Sequence, residues 1–82
     1  MTTTQTVRVN GEEQAVAADA SLLDLVRTMT GHELRADGSR ADGGRLGVAA
    51  AVGGTVVPRG RWGAQALAAG DEVEIVTAVQ GG

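Results

Sequence analysis

The sequence predicts an α+β domain in which one main helix covers one face of a mixed sheet of about four to five strands. Three observations lead there. Two runs of alternating or mildly apolar residues are each folded back at a dipeptide suited to a tight turn, Asn10-Gly11 and Gly53-Gly54. A single amphipathic segment lies between them, and a last alternating run, Glu72 to Thr77, closes the pattern. The order hairpin, helix, hairpin, crossover, strand leaves one helix with one sheet face to cover, which is a two-layer problem.

Each element has its own warrant. In "QTVRVNGEEQAVA", Val7 and Val9 alternate with Thr6 and Arg8, and Asn10-Gly11 suits a type I′ turn because both central residues need positive φ; the return strand is expected from Glu13 to Ala17. In "SLLDLVRTMTG", Ser21 is a good N-cap and Asp24, three residues on, makes an imperfect capping box. Leu22, Leu25, Val26 and Met29 fall at i, i+3, i+4 and i+7 as one apolar stripe, and Gly31 stops the helix. In "LGVAAAVGGTVVPR", Gly53-Gly54 turns the chain, Val56 and Val57 continue the return strand, and Pro58 ends it because proline cannot donate to a ladder. Trp62 and Leu67 plug one end of the core during the crossover, Gly70-Asp71 turns, and Glu72/Val73/Glu74/Ile75 alternates as a half-buried strand. The arrangement that joins these pieces is a β-grasp, with the first and last strands parallel neighbours at the sheet centre and the C-terminus projecting from one edge. The domain is expected over residues 1–77, with a flexible tail over 78–82.

Between helix and second hairpin lies the polar stretch 31–45, "GHELRADGSRADGGR", with a small internal repeat, Arg35-Ala-Asp-Gly-Ser then Arg40-Ala-Asp-Gly-Gly. Its composition predicts a mobile, solvated surface insertion. Asp37 and Asp42 match no cation-loop motif such as the EF-hand.

Composition narrows the function. Eighty-two residues make one small domain, and with 43% apolar residues, no Phe, no Tyr and one Trp the core must be aliphatic. The net charge is −3 and all seven basic residues are arginine. That argues against a dedicated nucleic-acid binder, which would need a basic face, and leaves no lysine for a Walker A loop; if ATP matters, another protein binds it. Without cysteine there is no disulfide, thiolate nucleophile or cysteine-based metal site. "MTTTQTVRV" lacks the charged and apolar regions of a signal peptide, and "LGVAAAVGGTVV" is too short and glycine-broken to span a bilayer. The expected location is the cytoplasm, away from membranes.

The usual catalytic inventory is nearly empty. His32, the one histidine, reads as a capping or exposed loop residue, and Ser21 and Ser39 lie in no nucleophile elbow. Asp71, Glu72 and Glu74 read as solvated acids or partner-facing charges. What remains is the tail, "AVQGG". As a pair of residues Gly81-Gly82 is a weak motif; following a regular strand by a short linker, it gains value. The reading takes Gly82 as the terminus, whose α-carboxyl is ionised at neutral pH (reference pKa about 3.3–3.7) and a poor electrophile until a partner adenylates it. Such a partner must enclose the tail to keep the anhydride from water. Two residues without side chains suit a narrow channel, and Val79, Gln80 and Gly81 are the residues that would thread it. Extended, Ala78 to Gly82 reaches on the order of 15 Å.

"VNGE" at 9–12, "SLLDLV" at 21–26, "VAAAVGGTVVPRGRW" at 48–62 and "LAAGDEVEIVTAVQGG" at 67–82 together resemble the ThiS family of thiamine-biosynthesis sulfur carriers, ubiquitin-like β-grasp proteins. The pieces stand in the family's order and cover most of the domain. Two departures stand out: glycine at 53 where the family often has asparagine, and a longer polar stretch at 31–45. The resemblance implies a mechanism. A ThiF-type enzyme adenylates the Gly82 carboxylate with Mg-ATP, which the partner and not this chain binds. Sulfur arrives as a persulfide through a cysteine desulfurase or related donor, the tail becomes a thiocarboxylate, and thiazole synthase ThiG takes the sulfur. The chain would then be a co-substrate and not an enzyme.

A docking surface is expected beside the tail. Val73 and Ile75 should face the helix, leaving Glu74 and Val76 on the open sheet face, with Arg8 on the first strand sharing it. Arg59 and Trp62 are expected to be structural. The competing readings are a molybdopterin-synthase small-subunit type of sulfur carrier, a ubiquitin-like modifier joined to lysines, and a passive β-grasp binding module.

Overall fold

The computed structural model describes residues 3–44 and 46–77, and the tail residues Val79, Gln80, Gly81 and Gly82 lie outside them. Strands β1 (Thr4–Val9) and β2 (Glu12–Ala17) form the first hairpin, helix α1 (Leu22–Thr30) follows, β3 (Val48–Val52) and β4 (Thr55–Val57) form the second, and β5 (Glu72–Thr77) closes the fold. The sheet order is β2-β1-β5-β3-β4. β1 and β5 pair in parallel at its centre, and every other neighbouring pair is antiparallel. This is the β-grasp that the element order implied.

Local chemistry explains the elements. Asn10 (φ 53°) and Gly11 (φ 85°) both take the left-handed conformation of a type I′ turn, as do Gly53 (φ 59°) and Gly54 (φ 82°). β2 starts at Glu12, one residue earlier than expected, because a two-residue turn pairs Val9 directly with Glu12. At α1, Ser21 Oγ accepts from the Asp24 N–H and Asp24 Oδ2 accepts from the Ser21 N–H, so the capping box closes with aspartate in place of the longer glutamate. Gly31 (φ 72°) ends the helix and donates its N–H to the Arg27 carbonyl.

The inner sheet face meets α1 through Val7, Val9, Ala50, Val57, Val73 and Ile75, against Leu22, Leu25 and Val26. The expected stripe needs one correction: Met29 is 46% exposed, while Leu23 is buried. The cause is the 3₁₀ turn Arg59–Ala64, which packs on the flank of α1 and covers Leu23 there; Leu23 Cδ2 would lie 3.5 Å from a β-carbon on Gly63. Trp62, 1% exposed, fills the core end beneath this turn, and its indole N–H donates to the Val57 carbonyl at 3.0 Å.

The polar stretch is also corrected. It is not simply solvated: Leu34 inside it and Leu46 just beyond it are buried in the common core. Its sequence repeat is a structural repeat. The Gly38 N–H donates to the Arg35 carbonyl and the Gly43 N–H to the Arg40 carbonyl, with the two glycines at φ 84° and 80°. In each unit the aspartate accepts from a backbone N–H two residues on, Ser39 for Asp37 and Gly44 for Asp42. Gly38 is buried against Arg59, whose guanidinium donates to the carbonyls of Leu46 and Val48 and lies 5.6 Å from the centre of the Trp62 ring. Among the described residues, no helix is long and apolar enough to cross a membrane.

Candidate functional site

The strand that leads to the tail is the central one. β5 is held on one side by β3 over five residue pairs, Glu72's neighbour Val73 through Thr77. On the other side β1 pairs with it only at Arg8↔Glu72 and Val9↔Val73, because the chain then turns away at Asn10. Asn10 continues the contact. Its backbone N–H donates to the Val73 carbonyl at 2.9 Å, its side-chain Oδ1 accepts from the Ile75 N–H at 2.9 Å, and its Nδ2 donates to the Ile75 carbonyl at 3.1 Å. The side-chain amide thus stands where the next peptide group of a longer β1 would stand.

Alternation then decides what β5 presents. Val73 and Ile75 are buried; Glu72, Glu74 and Val76 are exposed on the opposite face. Val76 is 61% exposed, so its own chain leaves it open to solvent, and Arg8 is exposed on the same face of the adjacent strand. The register adds residues that sequence reasoning missed. Ala49 lies beside Val76, Ala51 beside Glu74, and Val56, 70% exposed, beside Ala51. An apolar strip therefore crosses β5, β3 and β4. The signal was present: once Gly53-Gly54 is a two-residue turn, Val57 pointing inward forces Val56 outward next to Ala51.

Beside the strip, Arg8, Asn10, Gly11, Glu72, Val73 and Glu74 line a shallow depression of about 290 Å³. Arg8 bends back to donate to the Gly11 carbonyl at 3.3 Å. Glu72 and Glu74 are exposed carboxylates at the rim. The site is thus an apolar strip bordered by acidic groups, and it offers recognition more than chemistry. Among the described residues no three His, Cys, Asp or Glu side chains gather to hold a metal ion. His32 is half-buried, and lines a separate depression with Met29, Leu46, Val48 and Thr77. Trp62 is buried with its indole N–H on the Val57 carbonyl, and half-buried Arg59 donates to the carbonyls of Leu46 and Val48, which are structural roles.

The sequence model of the ThiS family matches residues 7–82, which includes every strand of this sheet except the start of β1. The chain belongs to the ThiS family. It is accordingly a small ubiquitin-like carrier of the sulfur-carrier type. No curated protein matches it. Two crystal structures share its fold. The thiamine biosynthesis protein (ThiS) from Geobacter metallireducens superposes with a TM-score of 0.66 at 22% identity, over 95% of this chain and 100% of that one. SAMP1 from Haloferax volcanii superposes with a TM-score of 0.53 at 19% identity, over 98% of this chain and 100% of that one.

Proposed function

We propose that this member of the ThiS family carries sulfur for formation of the thiazole moiety of thiamine, with the carboxylate of Gly82 as the group that is activated. The observation that supports this reading most is the position of β5. The strand that runs into "AVQGG" is central to the sheet and carries the exposed Val76 as its penultimate residue, next to the Ala49–Ala51–Val56 strip. A partner that docks on the strip has the end of β5, Thr77, directly beside it.

The chemistry follows from the carboxylate. A ThiF-type enzyme joins it to the α-phosphorus of Mg-ATP, releasing pyrophosphate and making AMP a leaving group. A sulfur nucleophile then attacks the carbonyl carbon, a C–S bond replaces the C–O bond, and AMP departs. With a persulfide from a cysteine desulfurase or related donor as the nucleophile, the product is an acyl disulfide; a thiol of a partner protein then attacks the donor's sulfur in that S–S bond, a partner disulfide forms, and the thiocarboxylate of Gly82 departs for thiazole synthase ThiG. This chain contributes the docking surface and a tail whose last two residues have no side chains, so that a water-excluding channel can accept it. It acts as a co-substrate of its partners in the cytoplasm.

Intact-protein mass spectrometry tests this reading. The chain is incubated with a ThiF-type enzyme, Mg-ATP and sulfide, alongside a variant lacking Gly82. The expected result is a mass gain equal to replacing one oxygen by sulfur, confined to the C-terminal peptide and lost in the deletion. No gain with an enzyme that works on another carrier overturns it. Growth of a thiazole auxotroph, and not of a molybdenum-cofactor mutant, assigns the acceptor.

A further inference from the structure

We propose that Asn10 is a positioning residue that aims the C-terminal segment into the activating partner, an inference that rests on the carrier reading above. The geometry carries it. Asn10 is the one non-glycine residue with positive φ among those described, and the type I′ turn accounts for that backbone. The turn does not account for the side chain. Gly53-Gly54 makes the same two-residue turn in the same sheet with no side chain at all. The Asn10 amide instead meets both backbone polar groups of Ile75. Its orientation is dictated by chemistry: the Ile75 N–H requires the oxygen and the Ile75 carbonyl requires the NH₂.

The consequence is local to the exit. After Val9↔Val73 the β1 backbone has left β5, so on that side Asn10 is the last element of the first hairpin to hold the strand. Val76 and Thr77 follow immediately. With the clamp in place, β5 stays in the plane of the sheet through Ile75, and Val76 and Thr77 continue it beside the apolar strip. Without it, the outer edge of β5 beyond Val73 is held by β3 alone. The hydrogen bonds of the Asn10 side chain go to Ile75, which faces the core, and not to Val76, Ala49, Ala51 or Val56 of the strip, so removing the side chain should disturb aim and leave docking intact.

Asn10→Gly separates the two roles of this residue, since glycine keeps the turn and deletes only the amide. The first measurement is amide hydrogen exchange and backbone order by NMR on the full chain. Expected is loss of protection at Ile75 and lower order at Val76 and Thr77, with protection at Val7 and Val73 unchanged. An Ile75 amide as protected as in the wild type overturns the proposal, whatever the partner chemistry. The second is ATP-dependent adenylation by a ThiF-type enzyme. Misaim of a reacting group costs turnover steeply, so kcat should fall about tenfold or more while KM for the carrier stays near wild type. Unchanged kcat, or a rise in KM with kcat retained, overturns the positioning role. If the wild-type chain is itself not adenylated, the carrier reading fails instead, and the exchange data alone decide whether Asn10 directs the exit of β5.

Discussion

Gly38 and Arg59 meet where no β-carbon fits. A Cβ on Gly38 would run into Arg59 Cγ and stand 2.9 Å from the Arg59 carbonyl oxygen. The contact joins the first unit of the RADG repeat to the residue that holds the start of β3, so the polar stretch is fastened where the core ends. Gly43 occupies the equivalent place in the second unit, with nothing within 4 Å of a β-carbon.

The repeat therefore contains its own control. Gly43→Ala should cost only the left-handed backbone penalty, about 1–2 kcal/mol. Gly38→Ala should cost that and a further ~1–3 kcal/mol of overpacking. In thermal unfolding the second variant should melt distinctly below the first, each 1 kcal/mol being worth about 4–8 °C in a domain of this size. Equal melting points would contradict the contact.

Val76→Asp and Val56→Asp should leave the fold intact, since both side chains are exposed, with stability changes within about 0.5 kcal/mol. If the strip docks the activating enzyme, each should raise KM for the carrier in adenylation about tenfold or more, the scale of a hot-spot loss. Thr4→Asp, on the same face but at the far end of β1, should not.

Trp62→Ala removes the largest fully buried side chain and the indole N–H bond to Val57. Large-to-small changes of this kind cost about 3–5 kcal/mol, most of the stability of a small domain. Urea unfolding should show the midpoint falling towards zero, with Trp62→Phe retaining an intermediate value.

The two loop aspartates make a pH prediction. Hydrogen bonds from the Ser39 hydroxyl and N–H hold the Asp37 carboxyl below its ordinary value of 3.8, and the Arg40 guanidinium with the Gly44 N–H does the same for Asp42. A group depressed by folding stabilises above its unfolded pKa and loses that contribution as pH falls through the folded one. The two turns should thus stay formed at neutral pH and loosen below about pH 3.8. Carboxyl titration by NMR should give both midpoints under the ordinary aspartate range, and Ser39→Ala should move Asp37 upward alone.

Much of the fold was legible because its signals are local. Asn10-Gly11, Gly53-Gly54, the Ser21/Asp24 cap and the Val73/Ile75 alternation each specify an element without reference to the rest. The failures came where tertiary packing overrides local pattern. Met29 keeps helical spacing with Leu22, Leu25 and Val26 and still faces solvent, because the 3₁₀ turn takes up the other flank and buries Leu23. The stretch 31–45 reads as polar by composition, yet Leu34 and Leu46 are what tie it down, and single leucines have no period to detect. At the candidate site, the exposure of Glu74 and Val76 followed from alternation, whereas Ala49, Ala51 and Val56 needed the pairing register. The Asn10 clamp was hidden because a turn explains that asparagine completely until Ile75 is brought beside it.

The central place of β5 also determines how the domain bears a pull. A partner that grips the tail in a channel loads this strand along its axis. Hydrogen bonds to β1 and to β3 run across that axis, so the load falls on both ladders together in shear, and no single bond can open first and unzip the rest. The same load on an edge strand such as β4 would fall on a single ladder, the one to β3. If a partner takes hold of the tail, the domain is therefore held through its middle strand, by two ladders and not one.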